Sequence, residues 1–172
     1  MSGDAPGGAY FLEFVARHRL LTRTRFLEVN ALPVLLLTSA VDAEASDTRS
    51  TVGEARADAV QPVALPISIW AVEKRPGANT TPAVTIGRAP TNDVVIPDPG
   101  VSRMHAALLR KGDRWTIADA SSTGTWVDGE KLQPRAPRYL GENAHLRLGP
   151  AVHLTFMGPE KLFELVARTL PH

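Results

Sequence analysis

Apolar positions along the chain change their period twice. From about Ala9 to Leu27, Phe11, Phe14, Val15, His18 and Leu21 recur three or four residues apart, while Arg17, Arg19, Arg23 and Arg25 fall mostly off that face. Side chains so spaced share one side of a helix, so the pattern predicts a single amphipathic helix with a narrow apolar stripe. After Pro33, the run Val34 to Leu37 fits a short strand or a buried extended piece. Between Ser39 and Val60 no apolar position recurs. Such a segment buries too little surface to offset the entropy of ordering, which predicts a flexible linker over residues 39–60. It carries Thr48, Ser50 and Thr51 beside Asp47 and Arg49, hydroxyls that a kinase could reach.

From Ile67 onward the period becomes two. Short runs follow one another at Ile67–Val72, Val84–Gly87, Val94–Ile96, His105–Arg110, Trp115–Asp119, Thr125–Val127, His145–Leu148 and Val152–Phe156. Within them Trp115 and Ile117, Leu146 and Leu148, and Val152, Leu154 and Phe156 alternate with small or polar neighbours, giving each strand a buried and a solvated face. Turn formers separate the runs, among them Pro76-Gly77, Asp98-Pro99-Gly100, Asp128-Gly129 and Gly149-Pro150. No interval has the periodicity of a crossover helix, so the sheets should be antiparallel or mixed. Trp115 and Trp126 are expected in the core. Past Gly158, Pro159 suits a first helical position, and Leu162, Phe163, Leu165 and Val166 predict a short closing helix.

Composition narrows the chemistry. Nineteen Lys and Arg stand against eighteen Asp and Glu, for a net charge of +1 over 172 residues. That balance supplies no broad positive field for nucleic acid or a membrane surface, so neither is expected as a partner. The absence of cysteine excludes disulfides, thiolate nucleophiles and the common structural zinc sites, and the five histidines are scattered; no metal or cofactor is expected. The longest apolar stretch, Ala31–Leu37, is far short of the roughly 20 residues needed to cross a bilayer, and the first residues lack a signal-peptide pattern. A cytoplasmic location is expected.

Three loops between strands hold the remaining polar interest. Arg88 follows Gly87 and opens one loop; Ser102, Arg103 and then His105 occupy a second; Ser121-Ser122-Thr123-Gly124-Thr125 forms a third. In a sandwich, loops gather at the two ends, where several can converge on one ligand. Two guanidinium forks and several hydroxyls suit a phosphate, because Arg offers planar charged donors and Ser and Thr complete the oxygens' hydrogen bonds.

At these positions the sequence resembles the forkhead-associated (FHA) domain, a phosphothreonine-peptide binding module. The matching strings are Gly87-Arg88, Asn92-Asp93-Val94-Val95-Ile96, Val101-Ser102-Arg103-Met104-His105-Ala106 and Asp119-Ala120-Ser121-Ser122-Thr123-Gly124-Thr125-Trp126-Val127-Asp128-Gly129. Residues Phe11 to Leu37 look like the leader of some small stand-alone members. The resemblance implies an all-β sandwich of about eleven strands (61–158), an N-terminal helical extension (1–38), the linker, and a C-terminal helix (159–172) packing on the sandwich. It further implies a non-enzymatic adaptor in Ser/Thr kinase signalling. By position, Arg88 and Ser102 would hold the phosphate, Ser122 would add a hydroxyl or backbone contact, and Arg103 would touch the phosphate or its neighbours. Gly87, His105 and Gly124 would support the site.

Thr123 departs from the pattern. The family usually has Asn there, gripping the peptide backbone with an amide donor and acceptor at once, which a hydroxyl cannot do. That departure motivates an alternative, a phospho-independent scaffold or dimerisation domain with a degenerate phosphate site. For Arg88 alone the bland alternative is a surface arginine paired with Asp93. A serine hydrolase built on Ser102 and His105 is disfavoured, because no Gly-x-Ser-x-Gly elbow occurs and the binding motif explains their spacing.

Overall fold

The computed structural model describes residues 8–38 and 66–169; the expected linker with Thr48 and Thr51 lies outside them. Among the described residues the elements run β1 (Ala9–Tyr10), α1 (Phe11–His18), α2 (Arg23–Val29), β2 (Val34–Thr38), β3 (Ser68–Ala71), β4 (Val84–Gly87), β5 (Val94–Val95), β6 (Ala106–Lys111), β7 (Arg114–Asp119), β8 (Thr125–Val127), β9 (Glu130–Lys131), β10 (Arg138–Tyr139), β11 (Asn143–Leu148), β12 (Val152–Met157) and α3 (Pro159–Arg168). Twelve strands form two sheets, ordered β1-β3-β2-β12-β11-β8-β9 and β10-β7-β6-β4-β5. Pairing is antiparallel throughout except for β4 and β5, which run parallel.

The alternation along each strand decides what faces the core. Val152, Leu154 and Phe156 of β12, and Leu146 and Leu148 of β11, turn toward the opposite sheet, where Ile86, Leu108 and Ile117 meet them. Fully burying one such aliphatic side chain contributes about 1.5–3 kcal/mol, so this cluster dominates the stability of the sandwich. A second cluster lies on the outer face of the first sheet. There Leu36 and Ile69 are covered by Phe11 and Val15 of α1, Phe26 of α2, and Leu162 and Val166 of α3. Phe26 anchors the helices, with Phe163 edge-on at 5.3 Å and Phe14 at 6.3 Å.

The N-terminal region differs from the expected extension in two respects. The single helix expected over Ala9–Leu27 is two helices preceded by a short strand. Thr22 interrupts it: its hydroxyl accepts the Arg25 amide at 3.4 Å and caps α2, and the turn at His18–Leu21 brings Phe26 under α1. Val34–Leu37 is not part of an extension. As β2 it sits between β12 and β3 inside the seven-stranded sheet. Both of its faces are covered, Leu35 by the sandwich core and Val34 and Leu36 by the helical layer, which is why its sequence is continuously apolar rather than alternating.

Both tryptophans expected in the core lie nearer the surface. Trp115 is half-buried at the core's edge, 6.4 Å from Phe156. Trp126 points away from the core altogether, because Thr125 and Val127 on either side of it take the inward positions of β8. Its ring is covered by the Arg147 guanidinium at 3.6 Å and by Lys131 at 5.3 Å.

Candidate functional site

Three loops meet at one end of the sandwich: Arg88–Asp93 after β4, Asp98–His105 before β6, and Ala120–Gly124 between β7 and β8. The first two are stitched together by backbone. Arg88 N–H donates to the Ser102 carbonyl at 2.9 Å and Ala89 N–H to that of Arg103 at 3.1 Å. The buried Asn92 side chain adds donors to the carbonyls of Ala89 (2.8 Å) and Arg103 (2.6 Å). Gly87 makes this approach possible. A Cβ there would collide with the Arg103 carbonyl and stand 2.8 Å from the Asn92 amide nitrogen.

His105 ties the second loop to the third. Its ring is completely buried, and Nδ1 accepts the Ser102 N–H at 3.0 Å. An amide can only donate, so the ring's hydrogen resides on Nε2, which donates to the Gly124 carbonyl at 3.0 Å. Burial pushes the His105 pKa below its ordinary value, outweighing the opposing pull of the Gly124 carbonyl and Asp119. A neutral imidazole with both nitrogens committed is a structural cross-link and is not available as a base, which removes the hydrolase reading. Gly124 itself needs its φ of +99°, a region that side chains rarely enter.

The third loop is held from beneath by buried Asp119, which accepts the Ser121 hydroxyl at 2.7 Å and the Thr125 hydroxyl at 2.6 Å. The first loop is held by buried Asp93. Its carboxylate meets Lys74 Nζ at 2.6 Å, Thr85 N–H at 2.9 Å, Arg75 N–H at 2.8 Å and Asn79 Nδ2 at 3.2 Å. Burial alone would raise the Asp93 pKa, but these donors, Lys74 foremost, hold it at about 2. Arg75 braces the same loop through its guanidinium to the carbonyls of Pro90 and, at 2.8 Å, Asn92.

The predicted ligand-facing residues come together above this frame. Ser102 Oγ lies 3.2 Å from Ser122 Oγ and accepts the Ser122 N–H at 3.1 Å. Arg88 is exposed and is not paired with Asp93; its Nε donates to the Val101 carbonyl at 3.1 Å, leaving its terminal nitrogens outward. Arg103 and Ser122 are exposed, and Ser102 is half-buried. Thr123 is also exposed, with its hydroxyl donating to the Gly100 carbonyl at 3.2 Å, so it ties loop to loop. Sequence reasoning quoted Asn92, Asp93 and Asp119 only within the motif strings, with Asp93 as a pairing partner for Arg88, and gave Arg75 no role. The first three are also polar residues flanked by strand-forming runs, a signal that they would be buried and bonded.

The two-layer sandwich thus carries end loops that are cross-linked by a neutral histidine and present arginines and serines outward. Residues 84–149 match the family model of the FHA domain. It is 33% identical over 76 residues to the oxoglutarate dehydrogenase inhibitor of Corynebacterium jeikeium (strain K411), covering 44% of this chain and 50% of that protein. It is 37% identical over 51 residues to the E3 ubiquitin-protein ligase rnf8 of Danio rerio, covering 28% of this chain and 10% of the ligase. The chain therefore spans half the length of the first relative and a tenth of the second. Among solved structures, Mycobacterium tuberculosis EmbR in complex with a low affinity phosphopeptide matches at 31% identity and a TM-score of 0.41, over 46% of this chain and 20% of that one.

Proposed function

We propose that the chain binds phosphothreonine peptides through Arg88, Ser102 and Ser122, with Arg103 beside them, and acts as a non-enzymatic adaptor in Ser/Thr kinase signalling. The observation that carries this reading is the pair of serine hydroxyls at 3.2 Å, backed by the Ser122 amide and flanked by an arginine whose charge no carboxylate neutralises among the described residues. A phosphate carries about −1.5 to −2 charge at neutral pH and three acceptor oxygens, which such donors complement. Thr123 contributes a loop tie in place of the amide grip, so the phosphate contacts carry a larger share of affinity than they would beside an Asn. A cytoplasmic location accords with this role; among the described residues no helix is long and apolar enough to cross a membrane.

The test is titration of a labelled phosphothreonine peptide and its unphosphorylated copy, read by fluorescence anisotropy. The phosphorylated form binds and the other does not, and Arg88→Ala removes the difference. Equal binding of both forms, or a partner retained by Arg88→Ala in pull-downs, would favour the phospho-independent scaffold instead.

A further inference from the structure

Strand register places one continuous row of side chains on the outer face of the seven-stranded sheet. Lys131 stands opposite Trp126, Trp126 opposite Arg147, Arg147 opposite His153, and His153 opposite Thr38. All five point outward, since their neighbours Thr125, Val127, Leu146, Leu148, Val152 and Leu154 face the core. His145 joins the row diagonally, its Nε2 at 3.1 Å from His153 Nδ1. The helices cover the other half of this face, over Leu36 and Ile69; in the row Lys131 is exposed and Trp126, Arg147, His153 and Thr38 are half-buried.

The row is basic and joined to the phosphate loops. Among the described residues neither Lys131 nor Arg147 forms an ion pair. Arg147 Nη1 donates to the Gly149 carbonyl at 3.0 Å, Gly149 N–H donates to Gly124 at 2.9 Å, and Gly124 is bonded to His105. The Gly124 backbone itself rests against Trp126 and Lys131, where a Cβ would stand 2.8 Å from Lys131 Cε. A ligand leaving the Ser102–Ser122 pair across Thr123 thus passes directly onto the tryptophan and its two cations.

Resting on the phosphothreonine reading, we propose that this row receives an acidic stretch of the same bound peptide and gives the module a preference for phosphothreonines flanked on one side by Asp and Glu. Three inter-strand steps from Lys131 to His153 span about 14 Å, the length of about four extended residues. Lys131 and Arg147, stacked on the half-buried Trp126 ring, are held in place by it and meet the peptide's carboxylates. A peptide is favoured over other polyanions because the row begins at the peptide site and holds only two unpaired permanent cations, too few for strong nucleic-acid binding.

The experiment uses the full chain and three labelled phosphothreonine peptides of equal length: one with alanine and glycine flanks, one with four glutamates before the phosphothreonine, and one with four after it. Each exposed ion pair contributes a factor of about 1.4–5, so with two cations one glutamate peptide should bind about 2- to 25-fold tighter than the neutral one at low salt. That advantage should disappear in the Lys131→Gln/Arg147→Gln variant and as salt is raised, while the neutral phosphopeptide binds wild type and variant alike. Equal binding of all three peptides to wild type, with Arg88→Ala still abolishing it, overturns the row and leaves the phosphate site standing. Failure of every phosphopeptide overturns both. An equally charged single-stranded DNA that binds as tightly as the peptide, with the same loss in the double variant, overturns the peptide assignment.

Discussion

Replacing His105 by alanine removes a fully buried side chain that bonds the second and third loops at once. The substitution leaves the part-buried Ser102 N–H without its partner at 3.0 Å, takes one of two donors from the Gly124 carbonyl, which keeps the Gly149 N–H, and empties the volume of a fully buried ring. An unsatisfied buried polar group costs about 1–3 kcal/mol, and truncating a large buried ring to alanine typically costs about 3–5 kcal/mol including its cavity. Partial relaxation of the loops toward water offsets some of this, so a loss of roughly 3–5 kcal/mol is expected, read from the urea midpoint at pH 7.5. Ser102→Ala keeps the backbone N–H on the ring and should cost under about 1 kcal/mol while reducing phosphopeptide binding strongly, because only a hydroxyl is lost. The pH dependence gives an independent reading. The folded pKa of His105 lies below the unfolded value of about 6.5, so the unfolded chain takes up the proton first as pH falls. Its contribution to stability is therefore complete above about pH 6.5 and declines on acidification below it. His153, also lowered, titrates in the same direction in both proteins. The wild-type advantage over His105→Ala should shrink between about pH 6.5 and 5. A loss below about 1 kcal/mol, or an advantage that grows on acidification, would refute the cross-link.

Asp93→Asn should destabilise by about 2–3 kcal/mol at neutral pH, since the carboxylate's charged hydrogen bonds hold the first loop. With a folded pKa of about 2, that stabilisation is present above the unfolded carboxylate range and fades as pH falls toward 2, so denaturation curves of variant and wild type should converge in acid. Thr123→Asn frees the Gly100 carbonyl and supplies an amide donor and acceptor at the peptide's edge. A gain of one good hydrogen bond, about 1 kcal/mol or roughly fivefold in Kd, is expected by anisotropy titration; unchanged or weaker binding would show that the Gly100 tie matters more.

Much of the sandwich was legible because its strands have one wet and one dry face. The runs at Val84–Gly87 and Thr125–Val127 match the observed strands residue for residue, and the others differ only at their ends. Val34–Leu37 was legible as a short strand or buried extended piece, but not its place inside the sheet as β2, because both of its faces are covered and that erases the period. The two-residue strands β9 and β10 are too short to show a period at all, and the break at Thr22 depends on a capping bond that helical spacing ignores. The residues proposed for the site, Arg88, Ser102, Arg103, Ser122 and Thr123, were drawn from the motif's strings, and the structure brings their loops to one end of the sheets. The partners of Asp93 were not, since Lys74, Asn79 and Thr85 reach it from separate loops and strands. The basic row was invisible for a similar reason: it is defined by register across five strands, and its members are dispersed between residues 38 and 153.

The position of β2 has a consequence for how the protein is made. Thr38 bonds to His153, 115 residues away, so the seven-stranded sheet cannot close until nearly the whole sequence described has emerged from the ribosome. Pairing at that separation must meet its loop-closure entropy before any contact forms, which places this chain among slow folders. Until β12 arrives, β2 and β3 present apolar edges with no partner between them and β11, a stage at which chaperones or neighbouring chains compete for the same hydrogen bonds. A fragment confined to residues 84–149 could not close the first sheet at all, lacking β1, β2, β3 and β12, four of its seven strands.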